Sequence, residues 1–163
     1  MTPYFRITVM VLLVFFCCLS LVQCSIADSF KNGEKLMDVK YIVVHCSDSP
    51  HGRGDTAETI HKWHKERGFD GVGYHYIIDE NGVTSAGRPE YWQGAHVSGH
   101  NHHSLGVCLI GRDEFTDSQR VELAHLLGQL QGKYSGSEVV GHYELDPSKT
   151  CPNMNVKEWL SEL

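Results

Sequence analysis

The alternation of short apolar segments with capped helical segments is the feature that most constrains the fold of this chain. Apolar runs rich in β-branched residues predict buried strands, and periodic apolar positions after a capping residue predict helices. The predicted strands cover residues 41–44, 74–78, 83–85, 105–110 and 138–142, and the predicted helices cover 56–67, the segment after Thr116 and the segment after Asn155. The order β-α-β-β-β-α-β-α predicts a single α/β domain, with a mixed central β-sheet flanked by helices.

The boundaries of these elements are marked by cap and turn residues. Asp55 is the predicted N-cap of the first helix, and Thr116 and Asn155 are the predicted N-caps of the other two. The Asn81-Gly82 pair lies between two strand segments and predicts a β-hairpin. We expect one domain without a linker, because no repeat or low-complexity segment interrupts the pattern.

Residues 1–27 differ in character from the rest of the chain. Arg6 precedes an uncharged apolar run over 7–22, which small residues follow. This pattern is typical of a secretory signal that is cleaved at the end of the segment, and the run is short for a membrane span of about 20 residues. A retained membrane anchor and lipid attachment at Cys24 are the alternatives. Each interpretation leaves 28–163 as the folded domain and places it outside the cytoplasm.

Charge and cysteine content narrow the classes of function. The 14 Lys and Arg against 20 Asp and Glu give a formal net charge of −6, which argues against a nucleic-acid-binding surface.

Of the 6 cysteines, Cys46, Cys108 and Cys151 belong to the predicted domain. An odd number is unsuited to a complete disulfide framework, so at least one thiol is expected to have another role. Cys46 and Cys108 lie in or beside buried strands and are expected to be packed thiols, although export leaves a disulfide open.

Two histidines and one cysteine have the chemistry of a catalytic zinc site. His45 ends the first predicted strand, His142 ends the last, and Cys151 follows in a loop bounded by proline. Two imidazoles and a thiolate suit zinc, and three protein ligands leave a fourth position for water, whereas a structural site would need a fourth ligand. Spacing alone leaves a second interpretation open, in which both histidines are structural and Cys151 is an inert thiol.

Four separated motifs favour the zinc-site interpretation over the structural one. They are YIVVHCS at 41–47, VGYHYII at 72–78, GAH at 94–96 with NHHSLGVCLIG at 101–111, and GHYE at 141–144 with KTCP at 149–152. Together they resemble the type 2 N-acetylmuramoyl-L-alanine amidase family, in particular the small lysozyme-like amidases of bacteriophages, which are related to peptidoglycan recognition proteins. The resemblance extends from about Asp38 to Leu163.

The resemblance implies a reaction and the residues that perform it. The reaction is hydrolysis of the amide bond between N-acetylmuramic acid and L-alanine in peptidoglycan, in a groove with one Zn²⁺ at its floor. The zinc ligands of the family match His45, His142 and Cys151. Its catalytic tyrosine and lysine match Tyr74 and Lys149. The chemistry agrees, because amide hydrolysis needs an activated water and a group that stabilises the oxyanion.

The resemblance also implies that the loop at 87–103 forms a wall of the groove. His96 and Asn101 are then expected to contact the substrate. Arg88 is a candidate for binding a stem-peptide carboxylate, with a structural ion pair as its alternative. The four histidines in the second half of the loop leave a second metal site open.

The competing function is a non-catalytic peptidoglycan recognition module of the same fold. Such relatives commonly lose the cysteine ligand, whereas Cys151, Tyr74 and Lys149 are all present in this sequence. We therefore expect an exported, monomeric zinc amidase whose partner is peptidoglycan or a muropeptide. No nucleic-acid partner is expected, and membrane contact is expected only through residues 1–27.

Overall fold

The computed structural model describes residues 38–162. The predicted export segment at 1–27 lies outside these residues, so its interpretation, including lipid attachment at Cys24, stays a prediction. Within the described part of the chain, no helix is long and apolar enough to cross a membrane.

The elements follow the predicted order, with one short helix added. The strands are β1 (Tyr41–Cys46), β2 (Tyr76–Ile78), β3 (Thr84–Ala86), β4 (Ser104–Leu109) and β5 (Glu138–Gly141). The helices are α1 (Ala57–Glu66), α2 (Asp117–Lys133), the added α3 (His142–Leu145) and α4 (Val156–Ser161), and a 3-10 turn covers Asn101–His103.

The strands form one mixed sheet in the order β3-β2-β4-β1-β5. The β2–β3 pair is an antiparallel hairpin, while the β2–β4, β4–β1 and β1–β5 pairs are parallel. Helices lie against this sheet, which confirms the predicted α/β fold class.

The central position of β1 determines where the functional residues meet. β1 runs parallel to both β4 and β5, and Val44 pairs with Val107 on one side and with Gly141 on the other. The carboxyl ends of these three strands therefore share one edge of the sheet, where ligand sites of open α/β folds commonly lie. His45 and His142 both lie at this edge.

The two faces of β1 are covered differently. Successive side chains point to opposite faces of a strand. Ile42 and Val44 belong to the main core, which also contains residues of α2 and α4 such as Leu123 and Trp159. His45 shares the other face with Val43, which packs against the loop at 87–100. The side chain of His45 thus points to the side of the sheet opposite α2, whereas Cys151 packs at the edge of the main core.

The predicted hairpin and two of the three predicted helix caps are confirmed. Thr116 caps α2, and its hydroxyl accepts a hydrogen bond from the backbone N–H of Gln119 at 3.1 Å. Asn155 caps α4 in the same way. Gly82 has φ = 78° in the turn between β2 and β3, a left-handed conformation that favours glycine.

The predicted cap of α1 was wrong by one residue. Thr56 rather than Asp55 is the N-cap, because Thr56 and Thr59 bond reciprocally to each other's backbone N–H groups. The carboxylate of Asp55 instead accepts a hydrogen bond from Arg53 at 3.2 Å.

β2 begins at Tyr76 and not at Tyr74 as predicted. The ring nitrogen Nδ1 of His75 accepts the backbone N–H of Gly106 at 2.9 Å, so a side chain takes the place of a backbone carbonyl in the ladder. Tyr74 consequently lies just outside the regular strand.

The last strand ends one residue earlier than predicted. His142 is the first residue of α3, and Gly141 is its N-cap. The carboxylate of Glu144 accepts the N–H of Gly141 at 2.9 Å, which turns the chain into the helix at this point.

Candidate metal centre

His45, His142 and Cys151, here called the metal triad, come together at the carboxyl edge of the sheet. The ligand atoms of the three residues all lie within 4.8 Å of one another. His45 is only 1% exposed, whereas His142 and Cys151 are partly exposed. Within residues 38–162, no other group of three or more His, Cys, Asp or Glu side chains is arranged to hold a metal ion. The loop histidines, which left a second metal site open in the sequence, are not gathered into such a group in the described residues.

His45 presents one ring nitrogen to the triad. Its Nδ1 lies 3.8 Å from the Sγ of Cys151. Its Nε2 lies 2.9 Å from the Nδ1 of His96, so this second nitrogen is already engaged. Burial and the neighbouring histidines His96 and His142 lower the pKa of His45 well below its usual range, so the ring is neutral at pH 7.

The backbone places the thiol of Cys151. The backbone N–H of Cys46 donates to Cys151 Sγ at 3.1 Å, and the N–H of Tyr143 donates to the Cys151 carbonyl at 3.0 Å. Gly141 permits this packing, since a Cβ there would lie 2.5 Å from the ring of Tyr143. The loop after α3 is therefore held against the end of β1.

The donor set of the metal triad fits a divalent cation. The hydrogen bond with the Cys46 thiol and burial raise the pKa of Cys151, and burial lowers the pKa of His142. The metal-free triad is therefore two neutral imidazoles and one protonated thiol, and a bound cation would displace the thiol proton. Two nitrogens and one sulfur leave a fourth tetrahedral position open.

A cavity of about 520 Å³ opens beside the metal triad and is called the groove below. Its walls come from the end of α1, the loop after β3 and the loop after α3. The lining residues include His64, Arg67, Phe69, Tyr74, His96, Asn101, His142 and Lys149. His142 of the triad and four of the five other predicted site residues thus line one concave surface.

Tyr74 lines the groove, and its ring lies close to that of His45. Its ring centroid is 5.1 Å from that of His45 and 5.3 Å from that of His64. Desolvation of this ring raises the pKa of Tyr74 well above its usual range, so the phenol is protonated at neutral pH. The phenol can therefore act as a hydrogen-bond donor, and it interacts with the thiol of Cys108.

Lys149 contributes a positive charge to the lining of the groove. The side chain is exposed, and the backbone N–H of Lys149 donates to the carbonyl of Asp146 at 3.0 Å in the turn before Cys151. Its charge opposes protonation of His142 and adds to the effect of burial in lowering the pKa of that ring.

The sequence profile of the N-acetylmuramoyl-L-alanine amidase family matches residues 35–154. The chain belongs to this family. Endolysin from Escherichia phage T7 is 40% identical to this amidase over 126 residues, which cover 72% of the present chain and 83% of the phage protein.

Solved structures agree with the family assignment. The amidase LysC from Clostridium intestinale is 26% identical, with a TM-score of 0.70 over 81% of this chain and 93% of LysC. Drosophila peptidoglycan recognition protein SD shares the fold, with a TM-score of 0.68 and 20% identity over 76% of this chain and 80% of that protein.

Two of the predicted substrate contacts of this amidase lie on the groove wall. His96 and Asn101 both line the groove. The Oδ1 atom of Asn101 accepts the backbone N–H groups of His96 and Val97 at 2.9 and 3.0 Å, so Asn101 also holds the wall in shape. Contact with substrate stays a prediction for both residues.

Arg88 is engaged with the backbone of the amidase. Its guanidinium donates to the carbonyls of Val72 and Gln93, both at 2.9 Å, and it is not among the described residues that line the groove. Arg88 thus ties the loop wall to the segment before β2. Its predicted contact with a stem-peptide carboxylate stays untested by this arrangement.

Sequence reasoning missed the contribution of α1 to the groove. His64, Arg67 and Phe69 line it, and none of the three was selected as a site residue from the sequence. His64 accepts the N–H of Gly73 on Nδ1 at 2.8 Å, and burial lowers its pKa to about 4. The proton of the neutral ring is therefore on Nε2. The only sequence signal was the position of His64 on the apolar face of the predicted helix.

Proposed function

We propose that this protein is a zinc-dependent N-acetylmuramoyl-L-alanine amidase that cleaves the bond between N-acetylmuramic acid and L-alanine in peptidoglycan. Membership of the amidase family supports the reaction and the substrate. The observation that carries the mechanism is the metal triad, whose ligand atoms lie within 4.8 Å of one another beside the groove.

The metal triad fits zinc by the chemistry of its donors. Two imidazoles and one thiolate are a preferred zinc set, and a catalytic site keeps a fourth position open. His45 is buried and its second nitrogen is already hydrogen-bonded, as is usual for histidines that bind metals. When bound, zinc polarises the amide carbonyl and activates water at neutral pH.

Tyr74 and Lys149 are assigned to stabilisation of the reacting amide. Hydrolysis places negative charge on the former carbonyl oxygen, and preorganised donors that face this oxygen lower the barrier. Tyr74 supplies a protonated phenol, and Lys149 supplies a positive charge in the same groove. The amine of L-alanine departs with a proton that water or one of these two groups delivers.

We infer that residues 28–163 form the amidase domain and that residues 1–27 direct export. The apolar run after Arg6 supports export, as does the location of peptidoglycan outside the cytoplasmic membrane. Anchoring of the segment, or lipid attachment at Cys24, would retain the same domain at the membrane surface.

A defined muropeptide separates this proposal from a recognition module that only binds. The zinc-loaded protein should convert it to the free sugar with an intact lactyl group and a peptide with a free L-alanine amine, as identified by mass spectrometry. Cys151→Ser should release neither product while keeping the fold. Binding of the muropeptide without any cleavage by the zinc-loaded wild type would contradict the enzymatic proposal.

A further inference from the structure

We propose that His96 is a positioning residue that fixes which nitrogen of His45 faces the metal. This inference rests on the proposed metal site and assigns His96 a role beyond the substrate contact expected from the sequence. The contact that motivates it is the 2.9 Å approach of His96 Nδ1 to His45 Nε2.

A directed chain of hydrogen bonds defines where the protons lie. The hydroxyl of Ser104 donates to the carbonyl of His100 at 2.8 Å, and a carbonyl can only accept. The Ser104 oxygen then accepts from Nε2 of His96, which lies 3.4 Å away. With its proton on Nε2, the neutral ring of His96 offers Nδ1 as an acceptor to the Nε2–H of His45. The lone pair of His45 is thereby left on Nδ1, the nitrogen beside Cys151.

The ring of His96 packs closely against two glycines and the ring of His75. A Cβ at Gly106 would lie 2.7 Å from Cγ of His96, and a Cβ at Gly94 would lie 2.3 Å from its Cδ2. The ring of His75 contacts that of His96 edge-on, with ring centroids 5.7 Å apart. His75 is itself fixed, since its two nitrogens bind the N–H of Gly106 and the carbonyl of Trp92. The two glycines thus make room for an imidazole beside His45.

Loss of the His96 acceptor should weaken metal binding rather than folding. Without it, the buried Nε2–H of His45 has no partner, and the tautomer with the proton on Nδ1 competes with metal binding. Removal of such an outer partner typically costs about 10- to 100-fold in metal affinity.

The test measures zinc affinity by competition with a chromophoric chelator. His96→Leu should weaken zinc binding about 10- to 100-fold. His96→Asn should recover most of it, because the asparagine oxygen occupies the place of Nδ1. His102→Leu is the matched control, since His102 is exposed in the same loop and bonds to Gln93. Equal affinity of His96→Leu and wild type, or no recovery in His96→Asn, would overturn the proposal.

Nitrogen-15 NMR of the histidine rings tests the same inference without a substitution. In the wild-type protein, His45 and His96 should both carry their proton on Nε2, with and without zinc. A proton on Nδ1 of His45 would refute the positioning role. Failure of the proposed function is distinguishable, because the wild type itself would then bind no zinc at this site.

A second inference rests on the separate observation that two thiols lie close together at the metal triad. The Sγ atoms of Cys46 and Cys151 are 3.7 Å apart, and both residues are free thiols. A disulfide needs an S–S distance of about 2.05 Å, so a small approach of the two sulfurs suffices. The geometry points to an intramolecular Cys46–Cys151 disulfide that forms in the metal-free protein and removes a metal ligand.

A small-molecule disulfide such as oxidised glutathione can serve as the oxidant for this reaction. A thiolate of the pair attacks the reagent and expels one reduced thiol, and the second cysteine then attacks the mixed disulfide and expels the other. The two protein thiols lose two protons and two electrons, and the reagent gains them. A bound cation keeps Cys151 coordinated and should prevent the reaction.

Mass spectrometry after alkylation measures this oxidation. Metal-free protein treated with oxidised glutathione should lose two hydrogen atoms in mass and yield a peptide that links Cys46 to Cys151. Zinc-loaded protein should not react, and Cys46→Ala should form no link. Cys108→Ala is the matched control and should react as the wild type does, because Cys108 is buried elsewhere in the sheet. A link that involves Cys108, stable glutathione adducts in place of the link, or equal reaction with zinc bound would contradict the assignment.

Discussion

At the scale of single residues, the metal triad shows what chemistry in a sequence can and cannot predict. His45, His142 and Cys151 could be selected because few residue types bind zinc and because the motifs around them are specific. His64 and Arg67 could not, since their place in the groove depends on which face of the sheet α1 covers. The hydrogen bond between His45 and His96, at 2.9 Å, could not be predicted either, because it forms only when the loop that carries His96 folds against β1.

Lys149 gives the first prediction at this scale. Lys149→Ala should lower kcat by about 100- to 1,000-fold while zinc remains bound, because the substitution removes charge stabilisation of the oxyanion and no ligand. Steady-state kinetics on a muropeptide, with zinc content measured in parallel, provides the check. Lys62→Ala on the exposed face of α1 is the control and should retain wild-type kcat. Unchanged turnover in Lys149→Ala would reject the role.

The second prediction concerns the pH dependence of zinc binding. The hydrogen bond with Cys46 and burial raise the pKa of Cys151, so this thiol is protonated in the metal-free protein near neutral pH. Burial lowers the pKa values of His45 and His142, so both imidazoles have already lost their protons there. Zinc should therefore displace one proton, and its affinity should rise about tenfold per pH unit between about pH 6 and 8. A pH-independent affinity in chelator competition would contradict this linkage.

At the scale of elements, local sequence signals predicted most ends of helices and strands. They failed where a side chain, rather than a backbone carbonyl, accepts a hydrogen bond of the sheet. Thr116 and Asn155 cap their helices because a side-chain oxygen and the required N–H are close in sequence. The start of β2 could not be predicted, since the imidazole of His75 bonds to Gly106 on a different strand. Such a bond depends on the pairing of strands and leaves no local signature.

The carboxylate of Glu90 links the loop wall of the groove to the end of α2. Glu90 accepts hydrogen bonds from Tyr76, Lys133 and Tyr134. Burial tends to raise its pKa, but the three donors outweigh this and lower the pKa below 4.5. Glu90→Gln should therefore reduce the free energy of unfolding at pH 7 by about 1–2 kcal/mol, an amount limited by partial exposure.

The direction of the Glu90 pKa shift determines how its contribution to stability depends on pH. Because the folded-state pKa of Glu90 is lower than the unfolded value, its stabilisation is present above that value and disappears as pH falls through the folded pKa. Urea denaturation at several pH values should show the difference between Glu90→Gln and wild type shrinking below about pH 4. Glu66→Gln, at an exposed pair with Lys62, should show little difference at any pH. A constant difference down to acid pH would contradict the account.

At the scale of the whole molecule, the site exists because β1 lies between β4 and β5. The sequence order predicted a mixed sheet, but several strand orders satisfy it; in the observed order, β3-β2-β4-β1-β5, the parallel pairing of β1 with β5 brings their ends together. That adjacency places His45 beside His142, and the loop after α3 returns Cys151 to the same point. The groove is thus a product of long-range pairing, whereas the residues that line its floor are marked in the sequence.

The most direct test of the account is a titration of the metal-free protein with zinc during turnover of a defined muropeptide. Activity should rise linearly and stop rising at one equivalent of zinc, and Cys151→Ser should show no activity at any ratio. Full activity before zinc is added, or in Cys151→Ser, would contradict the assignment of catalysis to a zinc ion held by His45, His142 and Cys151.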